Sequence, residues 1–155
     1  MAKKRKQSAG VIRNRRASFD YELGDEFVVG IILNGRETKS LRLNRGSLHG
    51  AYVTIKNDEL WLINATISGS NGIPIEPDEA TQARKLLAKR REIDHIIAAK
   101  QQGRTIVPTE ILTKGRFIKV RIRIGKGKKN YDKRETIKKR DDTRNAQRET
   151  KRFVS

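Results

Sequence analysis

The chain has 155 residues, 35 % hydrophobic and 35 % charged, with no cysteine and a formal net charge of +18. That length holds one domain with a modest core, and the absence of cysteine excludes disulfides and thiolate metal sites. No run of 18 apolar residues is present to span a membrane, and the charge calls for a polyanionic partner, most often nucleic acid, rather than a neutral or cationic one.

The charge is concentrated at the two ends. Residues 1–16 form a basic N-terminal arm with seven basic and no acidic side chains; residues 125–155 form a basic tail with twelve basic and five acidic ones. The body, 17–124, carries the near-ordinary balance of a folded domain. KKRK (3–6) starts like a signal peptide, but QSAGVIRNRRAS follows where an apolar stretch is required, so the protein is read as cytosolic.

In chain order, EFVVGIILNG (26–35) is a continuous apolar run ended by Asn34-Gly35, which predicts a buried strand. RETKSLRL (36–43) has helix formers and few β-branched residues, a short helix or turn with a charged face. AYVTIKNDELWLINATI (51–67) alternates on both sides of Lys56-Asn57-Asp58 and predicts a β-hairpin. SGSNGIPIEP (68–77) is a loop by composition. Pro77, Asp78 and Glu79 suit a helix start. Ala83, Leu86, Leu87, Ile93 and Ile97 then fall at helical spacing, with Arg84, Arg90 and Arg91 off that stripe and Gly103 as the stop. TIVPTEIL (105–112) and RFIKVRIRI (116–124) are strands turned at Lys114-Gly115. The second puts Ile118, Val120, Ile122 and Ile124 on one face and Lys119, Arg121 and Arg123 on the other. Together these predict a mainly β (α+β) domain, a small antiparallel sheet that curls into a barrel to remove its open edges, with flanking helices.

No catalytic or metal constellation emerges. His49 and His95 have no cysteine or helically spaced histidine partner. The acidic pairs at 25–26, 58–59, 78–79 and 141–142 sit in turns or at helix ends and read as caps and solvated charges. GKGK (125–128) lacks the length and the hydroxyl residue of a phosphate-binding loop. No cofactor is called for. Signals for RNA binding are broader. The basic face of 116–124 and the helix arginines can track phosphates. Tyr21, Tyr52, Trp61 and Tyr131 can stack on bases. For Tyr52 and Trp61, on hairpin strands, core packing is the commoner role.

The tail, with few sizeable apolar side chains, cannot offset the entropy of its own ordering. No Pro or Gly interrupts 128–155, and opposite charges recur three and four residues apart, as in Glu135/Lys139 and Asp141/Arg144. Such a segment becomes helical when something holds it.

NRRASFDYEL (14–23), GRETKSLR (35–42), INATI (63–67), RKLL…RREI (84–93), IVPTEIL (106–112) and GKGKKNYDKRE (125–135) together resemble, in order and over nearly the whole chain, the SmpB family of tmRNA-binding (SsrA-binding) proteins of bacterial trans-translation. The resemblance implies an OB-like β-barrel. It also implies binding to the tRNA-like domain of tmRNA and delivery to stalled ribosomes, with no enzymatic activity and probing of the decoding centre and empty mRNA channel by the tail. The implied partners are tmRNA and small-subunit rRNA, with no membrane, and the protein a monomer. Carried over by position, the tmRNA-facing set is Asn14, Glu37, Lys39, Ser40, Arg42, Leu87, Lys126, Lys128 and Lys129. The decoding-centre set is Tyr131, Asp132, Lys133 and Arg134. Glu37 has two open roles, accepting from RNA donors or pairing with a basic side chain. The chain departs from the family pattern at Val28, where members often carry an acid. It departs also at Lys89, in EPDEATQARKLL before RKLL, and in the loop SGSNGIPIEP. The competing reading is a basic ribosomal protein or a general RNA-binding protein.

Overall fold

The computed structural model describes residues 10–128 and, beyond them, positions 134, 137, 138, 140, 141 and 144. The elements are β1 (Val11–Arg13), α1 (Ala17–Asp20), β2 (Tyr21–Ile31), α2 (Gly35–Arg42), β3 (Gly46–Ser47), β4 (Tyr52–Lys56), β5 (Glu59–Ile63), β6 (Thr66–Ile67), α3 (Pro77–Ala80), β7 (Arg84–Leu87), α4 (Arg90–Gln101), β8 (Thr105–Leu112) and β9 (Lys119–Gly127). The architecture is mainly β with short helices, and every strand pair is antiparallel.

Strand β9 pairs with both β2 and β8. The order β8-β4-β5-β7-β2-β9 therefore closes into a ring, completed between β4 and β8 at Val53↔Ile106. β1 adds to the remaining half of the same β8 edge, and β3 and β6 form a separate two-stranded sheet. Two irregularities shape the ring. β2 shifts register between Leu23 and Glu26, and β8 shifts between Pro108 and Glu110. Pro108 has no N–H to give a ladder, and its place beside a bulge is where a strand tolerates one.

The ring encloses a core of Val29, Val53, Leu60, Leu62, Leu86, Ile106, Ile111, Val120, Ile122 and Ile124. Leu41 of α2 and Ile96 of α4 are fully buried and join it. The expected inward row on β9, Ile118 to Ile124, is all buried. The hairpin at Lys56-Asn57-Asp58 is also present. Asn57 and Asp58 both take left-handed backbone, φ 53° and 58°, the two-residue type I′ loop whose twist matches that of the strands. Asp58→Ala, placing a Cβ residue with no local hydrogen-bonding group there, should cost about 1 kcal/mol, while Asp58→Gly should be neutral or stabilising. The shift of the urea midpoint at constant m measures both.

Two expectations are corrected. The helix expected from Pro77 to Gly103 is three elements: one turn of helix, strand β7, and α4. RKLL has good helix propensity, yet β7 fills the gap between β5 and β2 and completes the ring. Ladder pairing there outweighs propensity. The burial period is accordingly two: Arg84 and Leu86 are buried, and Leu87 is exposed. On α4 the core-facing residues are Ile96 and Ala99, with Ile93 and Ile97 only half-buried. The run 26–35 is strand as far as Ile31, with Gly35 opening α2, and it is not a buried strand. Its inner side is Val29 with partly buried Phe27 and Ile31, while Val28 and Ile32 face out, as in an antiparallel sheet wetted on one side.

Candidate nucleic-acid interface

The helix α2, which carries Lys39 and Arg42, is anchored from below. Asn34 Oδ1 accepts from the Glu37 N–H at 2.8 Å and Glu37 Oε1 accepts from the Asn34 N–H at 3.3 Å, a complete capping box. The other carboxylate oxygen of Glu37 pairs with Arg84 Nε. Arg84 is 3 % exposed. Its Nη1 donates to the carbonyls of Ala65 and Gln82 at 2.9 and 3.0 Å, and its Nη2 to those of Glu79 and Ala80 at 3.0 and 3.1 Å. All five guanidinium N–H groups thus have acceptors. One side chain joins β7 to α2, α3 and the β5–β6 connection. Of the two roles open to Glu37, pairing with a basic side chain is the one the structure holds.

Arg42, exposed at the end of α2, donates to the carbonyls of Thr113 and Arg116 at 3.0 and 3.2 Å and so ties α2 to the β8–β9 turn. Lys39 is exposed beside it and forms no ion pair among the described residues. Ser40 is fully buried, with no partner for its hydroxyl among the described residues.

The outer face of the ring carries an apolar patch set among cations. Val28, Ile32 and Leu87 are 43 %, 51 % and 51 % exposed. Gly30 lies opposite both Leu87 and Lys119, and a Cβ at Gly30 would stand 3.3 Å from that of Leu87. Lys119 is exposed at the rim. Farther along β9, Arg121 is neutralised by Glu26 and by Glu110, the latter at 2.6 Å, and Lys85 by Glu59 at 2.9 Å. Expected to track phosphates, the β9 arginines are thus partly engaged within the protein, and Lys119 and Lys126 are the more available cations.

A second cluster sits at α1, where β9 ends. Asn14 Nδ2 donates to the Pro108 carbonyl at 3.0 Å. Lys128 donates from Nζ to Ser18 O at 2.9 Å and from its backbone N–H to Asp20 O at 3.1 Å. Lys126 is exposed in between. This cluster and the Lys39/Arg42 cluster lie at opposite ends of β9, roughly 25 Å apart along the strand. Of the decoding-centre set only Arg134 is described, helical and exposed; Tyr131, Asp132 and Lys133 lie outside the described residues, as does Lys129 of the tmRNA-facing set. Ile137, Lys138, Arg140, Asp141 and Arg144 are helical as well. Arg140 and Arg16 both approach the Phe19 ring, at 5.9 and 5.5 Å from its centre.

Tyr52 and Trp61 are not core residues. Tyr52 is 49 % exposed on the outer face of β4, and Trp61 is half-buried beside it. The hairpin packs through Val53, Leu60 and Leu62 instead. Arg84, expected among the helix arginines that track phosphates, is instead a buried strand residue paired with Glu37. The only signal of that role was its alternation with Leu86, two residues that a strand places on one face.

A family model described as SmpB protein matches residues 11–152. The SsrA-binding protein of Oenococcus oeni is 42 % identical over 157 residues, covering 99 % of both chains. That of Acholeplasma laidlawii is 41 % identical over 142 residues, covering 91 % of this chain and 95 % of its own. A solved structure described as "tmRNA-SmpB: a journey to the center of the bacterial ribosome" superposes with a TM-score of 0.65 at 33 % identity, over 79 % of this chain and 87 % of that one. With the strand ring, the capped α2 and the basic end of β9 accounted for by residues that these matches span, the chain belongs to the SmpB protein family.

Proposed function

We propose that this protein binds the tRNA-like domain of tmRNA and carries it to stalled ribosomes for trans-translation, as a non-enzymatic, cytoplasmic, monomeric factor. The observation that carries the reading is 42 % identity across 99 % of the chain to an SsrA-binding protein. The surface is consistent with it: cations at both ends of β9, and between them an apolar patch at Val28, Ile32 and Leu87 suited to unstacked bases or sugar faces. The closed ring supports an OB-like barrel over 17–124 as the RNA-binding body, with Val11–Arg13 of the basic segment 1–16 and Gly125–Gly127 of the basic segment 125–155 paired onto it. The tail is the ribosome-facing part. A basic helical segment that fits a vacant rRNA-walled channel tests for missing mRNA, because mRNA would exclude it. Within the tail, Tyr131 would stack on an rRNA base, and Lys133 and Arg134 would meet phosphates.

The test is a titration of the full chain against the tRNA-like domain, with an elongator tRNA as competitor, as salt rises from about 50 to about 200 mM. The tRNA-like domain should win by at least about tenfold at the upper end, since counterion release is then too weak to hold nonspecific RNA. Equal competition, with both RNAs lost together, would refute the reading.

A further inference from the structure

Beside α1 lies a cavity of about 380 Å³ whose walls include Arg16, Asp20, Tyr21, His49, Tyr52 and Lys100. Its size falls within the ~300–1,000 Å³ of small-ligand sites. Three aromatic rings and two cations converge on it. Tyr52 is half exposed on the outer face of its hairpin, opposite the core-facing Val53, Leu60 and Leu62, so its ring is left available to a ligand. His49 is held at the turn by its N–H to Ser47 Oγ, 3.2 Å, ahead of Gly50 with φ 74°. The one carboxylate, Asp20, pairs with Arg16 at 3.6 Å. Lys100, in the last turn of α4, forms no ion pair among the described residues. Asn14 and Ala17 line this cavity and also a second one of about 380 Å³, where Arg13, Arg15, Arg121 and Arg123 outnumber Glu26 and Glu110. The β1–α1 corner therefore separates an aromatic cavity from an arginine-rich one.

Rings for stacking and a cation for the backbone are the two components of a single-stranded nucleic-acid site. We propose that the Tyr52 cavity takes one unstacked RNA nucleotide, its base against the Tyr52 ring and its phosphate toward Lys100 and Arg16, with the flanking strand crossing α1 to the arginine-rich side. The proposal rests on the reading above only in taking RNA as the ligand. The nucleotide can come from tmRNA or from ribosomal RNA, and the chemistry of the cavity is the same for both.

The experiment compares full-length wild type, Tyr52→Ala, Tyr52→Phe and Lys100→Gln for binding to the isolated tRNA-like domain and to small ribosomal subunits. Tyr52→Ala should weaken one of the two by about tenfold, the loss expected for one stacked base. Tyr52→Phe, which keeps the ring, should stay within about twofold of wild type. Lys100→Gln should weaken the same RNA as Tyr52→Ala and lower its salt slope by about one. A loss confined to the tRNA-like domain assigns the nucleotide to tmRNA; one confined to the subunit assigns it to rRNA. Tyr52→Ala within about twofold of wild type on both RNAs overturns the cavity as a nucleotide site. So does an equal loss in Tyr52→Phe, or an equal loss on both RNAs. The wild type's own preference among RNAs tests the tmRNA reading separately, so either can fail without the other.

Discussion

Arg84→Met is expected to destabilise the fold by about 3–5 kcal/mol, out of a total that for such domains is about 5–15 kcal/mol. The substitution keeps length and apolar bulk but leaves the Glu37 carboxylate buried and unpaired, 3 % exposed beside the core. It also strips partners from the carbonyls of Ala65, Glu79, Ala80 and Gln82. A buried charge without its partner is the costly half of a broken ion pair. Adding Glu37→Gln should recover part of the loss, because the neutral amide no longer needs the guanidinium while still accepting at the helix N-terminus. Urea unfolding of the two single variants and the double one gives the coupling energy. Strict additivity would mean that the pair is not the node we describe. Since α2 rests on this node, Arg84→Met should also weaken the RNA contacts proposed for Lys39 and Arg42, which Arg84 itself does not touch.

Removal of residues 131–155 has the largest functional effect expected: tagging on stalled ribosomes abolished, with binding to the tRNA-like domain within about threefold of full length. The excised segment has nine basic and five acidic residues, so the remainder keeps +14 of the chain's +18. The ring, α2 and both clusters along β9 remain. Long-range attraction to RNA therefore changes little, while the segment proposed to sense an empty channel is gone. A tagging assay on ribosomes stalled at an mRNA end, run beside the salt titration, reads both quantities. A large loss of tmRNA affinity on truncation would place the tail in the tmRNA site and overturn the division of labour between body and tail.

Sequence alone determined the features set by local chemistry. The β9 strand was legible because Ile118, Val120, Ile122 and Ile124 alternate with cations over a full strand length. The hairpin was legible because Asn57 and Asp58 tolerate left-handed backbone, and α2 because helix formers follow Asn34. The family was legible through ordered motifs, which need no coordinates. Other features were decided only by tertiary contact. Whether RKLL is helix or strand depends on a gap between β5 and β2 that no local window reports. Glu37 becomes a structural anion because Arg84, 47 positions away in sequence, is brought beneath α2 by that same strand. Tyr52 and Trp61 face outward because ring closure chooses Val53, Leu60 and Leu62 for the interior, and alternation gives two faces without saying which one is wet. Periodicity and propensity are properties of neighbours along the chain. Burial, pairing and the meeting of distant charges arise only when strands far apart in sequence share one core.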